Sequence, residues 1–540
     1  MAGMKGGGLL LLVSIVLCTS ALLGHILRWI GNPIQSRTQQ RRELLLTRAT
    51  EAEAKEQART QSQSSALEEE EWERVSPGTN TPPAQLFQKA IGDVDESFEG
   101  IIGFFHPFCN AGGGGERVLF AAIQATQQKY PKALCVVYTG DHDASKDQIL
   151  ANATNRFNIR LQQARIAFLY LSTREWVLAN RWPHFTLLGQ SLGSLALGWE
   201  AANMLVPDIV IDTMGYAFVL ALWAWLFPSV PRGAYVHYPT ISTDMLNSLS
   251  DEVNSGRGVN AGTGKGWKGM AKKAYWHLFA KLYGWVGGTI DVVMTNSSWT
   301  QAHITALWAK PRKRRSKQHA IEVVYPPCAV RELEEKIPID STSESRRSKT
   351  LLYIAQFRPE KQHTLIIDAF ADFLKQCIAT DPSALAPKLI LVGSVRDDYD
   401  EKRVYALRLQ ANQIKEHVEF LINAKWDKIL ELLSTCSVGV NGMWNEHFGI
   451  GVVEYQAAGL ISVVHDSGGP KEDIVVEMEG QPTGGSNDQR LTIPLANSYY
   501  RFPCVYATRF YGCVRKSAQH VCGRYTCDET ASTKECTTFL

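Results

Sequence analysis

The stretch TLLYIAQFRPEKQH, residues 350–363, decides the fold of this chain. Its first half is an apolar run of strand length. Its second half is charged and leads into a helical pattern around Thr364–Gln376. The same unit recurs downstream. KLILVGS (388–394) precedes a helical pattern around Asp400–Lys415, and VEFLINA (418–424) precedes DKILELLSTC (427–436). SVGVNG (437–442) then leads through NEHFGIGVVE (445–454) to ISVVHDSGGP (461–470). Strand alternating with helix predicts a parallel sheet in an α/β fold.

Upstream the rhythm is similar. Ile101–Phe105, ALCVVYTG (133–140), FTLLGQ (185–190), DIVIDTMG (208–215), GAYVHYP (233–239) and DVVMTNSS (291–298) read as short apolar runs separated by helix-like stretches. The chain therefore reads as two doubly wound domains facing a cleft, residues 98–330 and 331–480. At 540 residues it is long enough for two or three domains with sizeable cores. A net charge of +2 argues against a general nucleic-acid binder.

LLLLVSIVLCTSALLGHILRWI (9–30) reaches the length of about 20 residues that spans a bilayer, so residues 1–32 read as an uncleaved anchor. Lys5 precedes it, and Arg28, Arg37, Arg41 and Arg42 accompany its far end. Positive charge stays on the cytoplasmic side, which puts the body of the chain in the cytosol and leaves the sequons at Asn152 and Asn296 unused. Six of the eleven cysteines are scattered without metal-like spacing and read as reduced thiols. Residues 33–97 read as a polar, partly helical stalk and linker. MGYAFVLALWAWLFP (214–228) reads as a segment touching the membrane face, with a buried core helix as the alternative, and KPRKRRSK (310–317) as a solvated loop facing anionic lipid, with a targeting signal or nucleic-acid patch as the alternative.

Several motifs can carry chemistry. AGGGGE (111–116) follows a strand and opens a helix. Gly112, Gly113, Gly114 and Gly115 let backbone N–H groups approach a phosphate, although a tight structural turn explains the same residues. Arg358 and Lys361 sit at the C-terminal end of the first strand of the second domain. There they can clamp a diphosphate or simply begin a charged helix. GQSLG (189–193) has the spacing of a nucleophile elbow, with Ser191 backed by Asp212 and His237. In NEHFGIGVVE the two glutamates, if on one helix, would stand about 12 Å apart along the axis and about 80° apart around it. If the helix starts near Gly449, Glu446 falls in the loop, Glu454 lies about one turn in, and the first-turn amides lie between. That layout suits a sugar nucleotide, with Glu454 at a ribose diol. A glycosidase carboxylate pair is the alternative.

Glu446 and Glu454 also form the E-x7-E pattern of retaining GT-B glycosyltransferases of family four. FFHPFCNAGGGGERVL, HFTLLGQSLGS, YVHYPTISTDML, NSSWT, VVYPPC, QFRPEK and MWNEHFGIGVVE resemble, within that family, the dolichol-linked oligosaccharide α-1,2-mannosyltransferases of the endoplasmic reticulum. The resemblance runs from Ile101 to Gly484. It implies a GT-B fold of two Rossmann-like domains and transfer of the fourth and fifth mannoses from GDP-mannose to a dolichyl-diphosphate oligosaccharide. It implies that no metal takes part. It also implies a single-pass protein of the endoplasmic reticulum membrane with cytosolic catalytic domains, and other early mannosyltransferases of the pathway as partners. On the matching positions, Glu446 and the amides of Phe448, Gly449 and Ile450 would hold mannose and phosphate. Arg358 and Lys361 would neutralise the leaving diphosphate, Gly112–Gly115 would close over it, Glu454 would bind ribose, and His237 would contact the transferred sugar. Two departures stand out. Gln356 occupies the place where the broader family carries arginine. Residues 481–540, with five cysteines, do not follow the family, and this raises an inactive membrane-anchored fragment or subunit as the alternative.

Overall fold

The computed structural model describes residues 3–68, 94–247, 267–380, 386–395, 398–474, 477–478 and 481–482, with side chains of the first helix from residue 24 to residue 58. The anchor's side chains up to residue 23 and the cysteines of the tail lie outside the described residues.

The first domain is built on β1 (Ile101–Phe105), β2 (Leu134–Thr139), β3 (Ile166–Tyr170), β4 (Ile209–Asp212), β5 (Arg232–Val236), β6 (Val292–Thr295) and β7 (Ile321–Val323). They form one sheet in the order β3-β2-β1-β4-β5-β6-β7, and every neighbouring pair is parallel. The second sheet contains β8 (Ser348–Ile354), β9 (Lys388–Gly393), β10 (Val418–Ile422), β11 (Cys436–Asn441) and β12 (Ile461–Val464), ordered β10-β9-β8-β11-β12 and again all parallel. In each sheet the strand order reverses beside the first strand, at β1/β4 and β8/β11. Those are the switch points where a crevice opens at the carboxyl ends of the strands. β1, β2 and β5 are buried along their whole length because helices cover both faces.

Four sequence expectations change in the structure. FTLLGQ is helical, the start of a helix spanning Thr186–Met204. Ser191 lies in its second turn and donates its hydroxyl back to the Leu187 carbonyl at 2.7 Å. The glycine of GQ is needed because a Cβ on Gly189 would sit 2.4 Å from the Trp182 ring. There is no strand–turn–helix elbow here, and Asp212 spends its carboxylate on the Met214 and Gly215 amides at 3.0 Å each. The nucleophile reading is therefore overturned.

The apolar run at 214–228 is the second change. It forms a helix, Ala217–Leu226, with Val219, Leu220 and Trp223 fully buried in the first-domain core. An all-apolar helix suits either lipid or protein interior; here the neighbouring helices Thr186–Met204 and Trp267–Gly287 enclose it, and Trp223 donates its indole N–H to the Gly198 carbonyl at 2.9 Å. Third, the basic run 310–317 continues the helix Ser298–Arg314. Arg312 is buried and donates to the carbonyls of Ile290, Asp291 and His319, which leaves little of that segment as a free loop. Fourth, part of the stretch read as a stalk lies along the first domain. The helix Gly3–Glu68 buries Ile34, Thr38 and Ala49, pairs Arg42 with Asp208 at 2.5 Å, and pairs Glu53 with Arg165. Among the described residues no helix is long and apolar enough to cross a membrane.

Candidate active site

The site is assembled from strand ends. β1 runs into His106, β5 runs into His237, and the loop after His106 leads to Gly112–Gly115 and the helix Gly114–Lys129. From the second domain, β8 runs into Arg358 and the short turn Pro359–Lys361. β11 runs into Glu446 and then the helix Ile450–Ala457. Gly449 caps that helix with φ +105°, a left-handed conformation that glycine adopts without strain. The helix thus starts where the spacing of the two glutamates requires, with Glu446 before it and Glu454 in its second turn.

Glu446 is held from three sides. Lys361 Nζ lies 2.6 Å from its Oε2, and Asn441 Nδ2 donates to the same oxygen at 3.2 Å. Burial pushes the Glu446 carboxyl up, but the Lys361 ammonium and the Asn441 amide outweigh it and hold the group below the usual carboxylate range. Glu446 is therefore an anion at neutral pH. Its backbone is fixed from behind by the loop after β12: Gly469 donates to the Glu446 carbonyl at 2.7 Å, and Ser467 accepts from the Asn445 amide at 2.8 Å.

The first domain presents two neutral imidazoles. Burial lowers the pKa of His106 to about 3 and of His237 to about 4. His106 Nδ1 meets Thr213 Oγ1 at 2.7 Å, and His237 donates an N–H to the Thr213 backbone carbonyl. That fixes the His237 tautomer, leaving Nε2 as a lone-pair acceptor. Among the described residues, the Nε2 atoms of both histidines find no hydrogen-bond partner. A Cβ on Gly115 would lie 3.8 Å from His237 Nε2 and 4.0 Å from His106 Cε1, so the glycine loop leaves room at these two nitrogens.

The domains meet across this site. The Tyr238 ring stacks on His447 with centroids 4.3 Å apart, Asn445 Nδ2 donates to Asp244 at 2.8 Å, and a Cβ on Gly114 would come within 3.0 Å of the Ile450 side chain. The structure thus brings together Gly112–Gly115, His237, Lys361, Glu446, Phe448, Gly449, Ile450 and Glu454. Arg358 stands at the rim: its side chain is 34% exposed and its carboxylate neighbour is Glu360 at 3.7 Å. The Gly113 amide is already used by the Glu116 carboxylate at 2.7 Å, which leaves the following first-turn amides to face the cleft.

Sequence reasoning missed three contributors. Arg117 reaches across the cleft and pairs with Glu454 at 2.5 Å, with both side chains largely buried. His106 and Asn441 complete the imidazole pair and the Glu446 cradle. Each directly follows or ends a strand, the one signal that marked them. Among the described residues no group of three or more His, Cys, Asp or Glu side chains is placed to hold a metal ion.

Arranged this way, the cleft offers an anionic carboxylate, cations and amides for phosphates, and uncharged acceptors for hydroxyls. Both domains are similar to known proteins. The family model described as ALG11 mannosyltransferase N-terminus matches residues 99–308, and the model described as Glycosyl transferases group 1 matches residues 336–484. A Neurospora crassa protein named GDP-Man:Man(3)GlcNAc(2)-PP-Dol alpha-1,2-mannosyltransferase is 63% identical over 400 residues, covering 72% of this chain and 71% of that one. Proteins of the same name from Mus musculus and Homo sapiens are each 47% identical over 386 residues, covering 71% of this chain and 76% of theirs. A solved structure of Anabaena Alr3699/HepE with UDP and glucose aligns at a TM-score of 0.42 and 17% identity, over 70% of this chain and 83% of that one. With two all-parallel α/β domains and relatives at this identity, the chain belongs to the family of GDP-Man:Man(3)GlcNAc(2)-PP-Dol alpha-1,2-mannosyltransferases.

Proposed function

We propose that this chain is a retaining mannosyltransferase. It moves mannose from GDP-mannose onto the dolichyl-diphosphate-linked trimannosyl-chitobiose, making the α-1,2 linkages of the fourth and fifth mannoses. The work is done at the cytosolic face of the endoplasmic reticulum, with Leu9–Ile30 as the anchor. The observation that carries this reading is the Glu446–Lys361 pair at 2.6 Å, with Glu446 in the loop that leads from β11 to the helix bearing Glu454.

In the reaction the bond from mannose C1 to the diphosphate oxygen breaks, and the electron pair leaves with GDP. An acceptor hydroxyl oxygen bonds to C1, and its proton passes to the departing diphosphate oxygen, which gains negative charge as the bond breaks. Lys361 and Arg358 place positive charge where the leaving diphosphate gains negative charge, which lowers the barrier more than it strengthens ground-state binding. Glu446 accepts hydrogen bonds from mannose hydroxyls while its other oxygen stays with Lys361 and Asn441. His237 accepts from a further hydroxyl. The amides at Phe448, Gly449 and Ile450 face the phosphates at the positive end of the helix. Glu454 exchanges Arg117 for the ribose hydroxyls when the nucleotide enters.

The test is transfer itself. The full-length protein in membranes is given radiolabelled GDP-mannose and the trimannosyl lipid acceptor. Two added mannoses, both removed by an α-1,2-specific mannosidase, are expected. Absence of transfer, or product resistant to that enzyme, overturns the reading.

A further inference from the structure

The helix Trp267–Gly287 is apolar on two opposite faces. Inward, Trp276, Phe279, Tyr283 and Val286 are buried in the first-domain core. Outward, Trp267 is 71% exposed, Met270 71%, Leu278 68% and Trp285 43%. At 3.6 residues per turn those four positions fall within a sector of about 80°. Besides Lys281 the sector is apolar, where a helix at an ordinary surface turns mostly polar side chains. Its sequence holds four lysines and no carboxylate.

The stripe is not isolated. The helix Thr186–Met204 flanks the same buried helix, Ala217–Leu226, and turns Leu192 (51% exposed) and Trp199 outward. The exposed Phe185 ring, just before it, packs edge-on to Tyr275 at 5.1 Å and so joins the two helices. Guanidinium groups sit over the exposed rings: Arg181 over Trp176 at 4.7 Å and Arg315 over Trp285 at 5.3 Å.

One end of this face lies where the N-terminal apolar run reaches the domain. Gly31 rests against the Leu226 backbone, and the next ring along, Trp225, touches Trp285 at 5.1 Å. Trp29 and Ile26, in the last part of that run, are exposed too.

We infer that this outer face lies against a lipid bilayer bearing anionic headgroups, a membrane contact separate from the N-terminal segment. Tryptophan favours the headgroup boundary, leucine and methionine reach the acyl edge, and lysine and arginine meet lipid phosphates. A contiguous exposed apolar face of this kind needs an occupant. A second copy of the chain fits it less well, because a two-fold interface would set these lysines against their own equivalents.

Site-directed photocrosslinking of the full chain in proteoliposomes tests this, and it reads lipid contact independently of mannosyl transfer. The photoreactive residue p-benzoylphenylalanine replaces Phe185, Met270 or Leu278, with Tyr405, 66% exposed on the second domain, as the control. Phospholipid adducts are expected at the first three positions and not at the control, with yields falling severalfold when phosphatidylserine is replaced by phosphatidylcholine. Chain-to-chain adducts at Met270 and Leu278, no lipid adduct at any of the three, equal lipid adducts at Tyr405, or yields indifferent to headgroup charge would each overturn the inference. Unchanged thermal unfolding of the three variants shows that the fold is intact.

Discussion

Replacing Glu446 by glutamine removes a charge and almost nothing else. The amide has the shape of the carboxylate, so the loop held by Gly469 and Ser467 keeps its path. What is lost is the 2.6 Å ion pair with Lys361 and the anionic acceptor for the sugar. Two unit charges at this range interact by about 6 kcal/mol at an effective dielectric of ~20. Lys361 is 22% exposed and can turn toward water, so the stability cost should be smaller, about 1–3 kcal/mol. That corresponds to a fall of a few degrees in the unfolding midpoint, roughly 2–4 °C per kcal/mol for a domain of this size. The catalytic cost is larger, because a preorganised group aimed at developing charge contributes about 3–4 kcal/mol in mutagenesis of other enzymes. Glu446→Gln should therefore lower kcat by about 100- to 1000-fold. Affinity for GDP, which the proposed binding mode places at the amides and Glu454 instead, should change little. The assay is initial-rate transfer at saturating GDP-mannose, with GDP affinity by calorimetry and the midpoint by scanning fluorimetry. A kcat within tenfold of the parent, with the fold intact, refutes the role given to Glu446.

Three further outcomes follow from the geometry. Glu454→Ala should weaken GDP about tenfold, the value of one charge-assisted hydrogen bond, and unchanged nucleotide affinity in calorimetry would remove Glu454 from the ribose site. Gly468→Ala should destabilise the chain by about 1–3 kcal/mol and depress transfer, because φ is +66° and a Cβ would stand 2.3 Å from the Glu446 carbonyl oxygen; a parent-like midpoint and rate count against the bracing role of that loop. His106 and His237 have folded pKa values of about 3 and about 4, below the ordinary value of 6.5. The unfolded chain then binds more protons, so stability is fully present above about pH 6.5 and is lost as pH falls toward 4. His237→Gln should flatten the pH dependence of the midpoint in that window, and an unchanged slope would mean that His237 is not buried neutral.

Much of the fold was legible because its signals are local. Alternating apolar runs and helical patterns mark β/α units wherever both faces of a sheet are covered. The restart at Thr350 marks the second sheet without any knowledge of the first. FTLLGQ failed as a strand because a six-residue apolar run has no period of its own, and the helix continues for fourteen residues beyond it. The run at 214–228 failed for another reason: protein core and lipid demand the same side chains, and only its neighbours distinguish them.

The candidate site divides along the same line. Glycine at 449, the glutamates eight apart and the cations after β8 belong to one strand-to-helix connection each, so the sequence by itself determined their local geometry. Only the tertiary structure decided which groups meet. Arg117 and Glu454 are 337 positions apart, and Lys361 and Glu446 are 85 apart. No local pattern encodes such a pairing, because it depends on how two sheets present their carboxyl ends to one cleft. Charge state followed from the same packing. Burial keeps His237 neutral, and Lys361 keeps Glu446 ionised in a place that would otherwise protonate it.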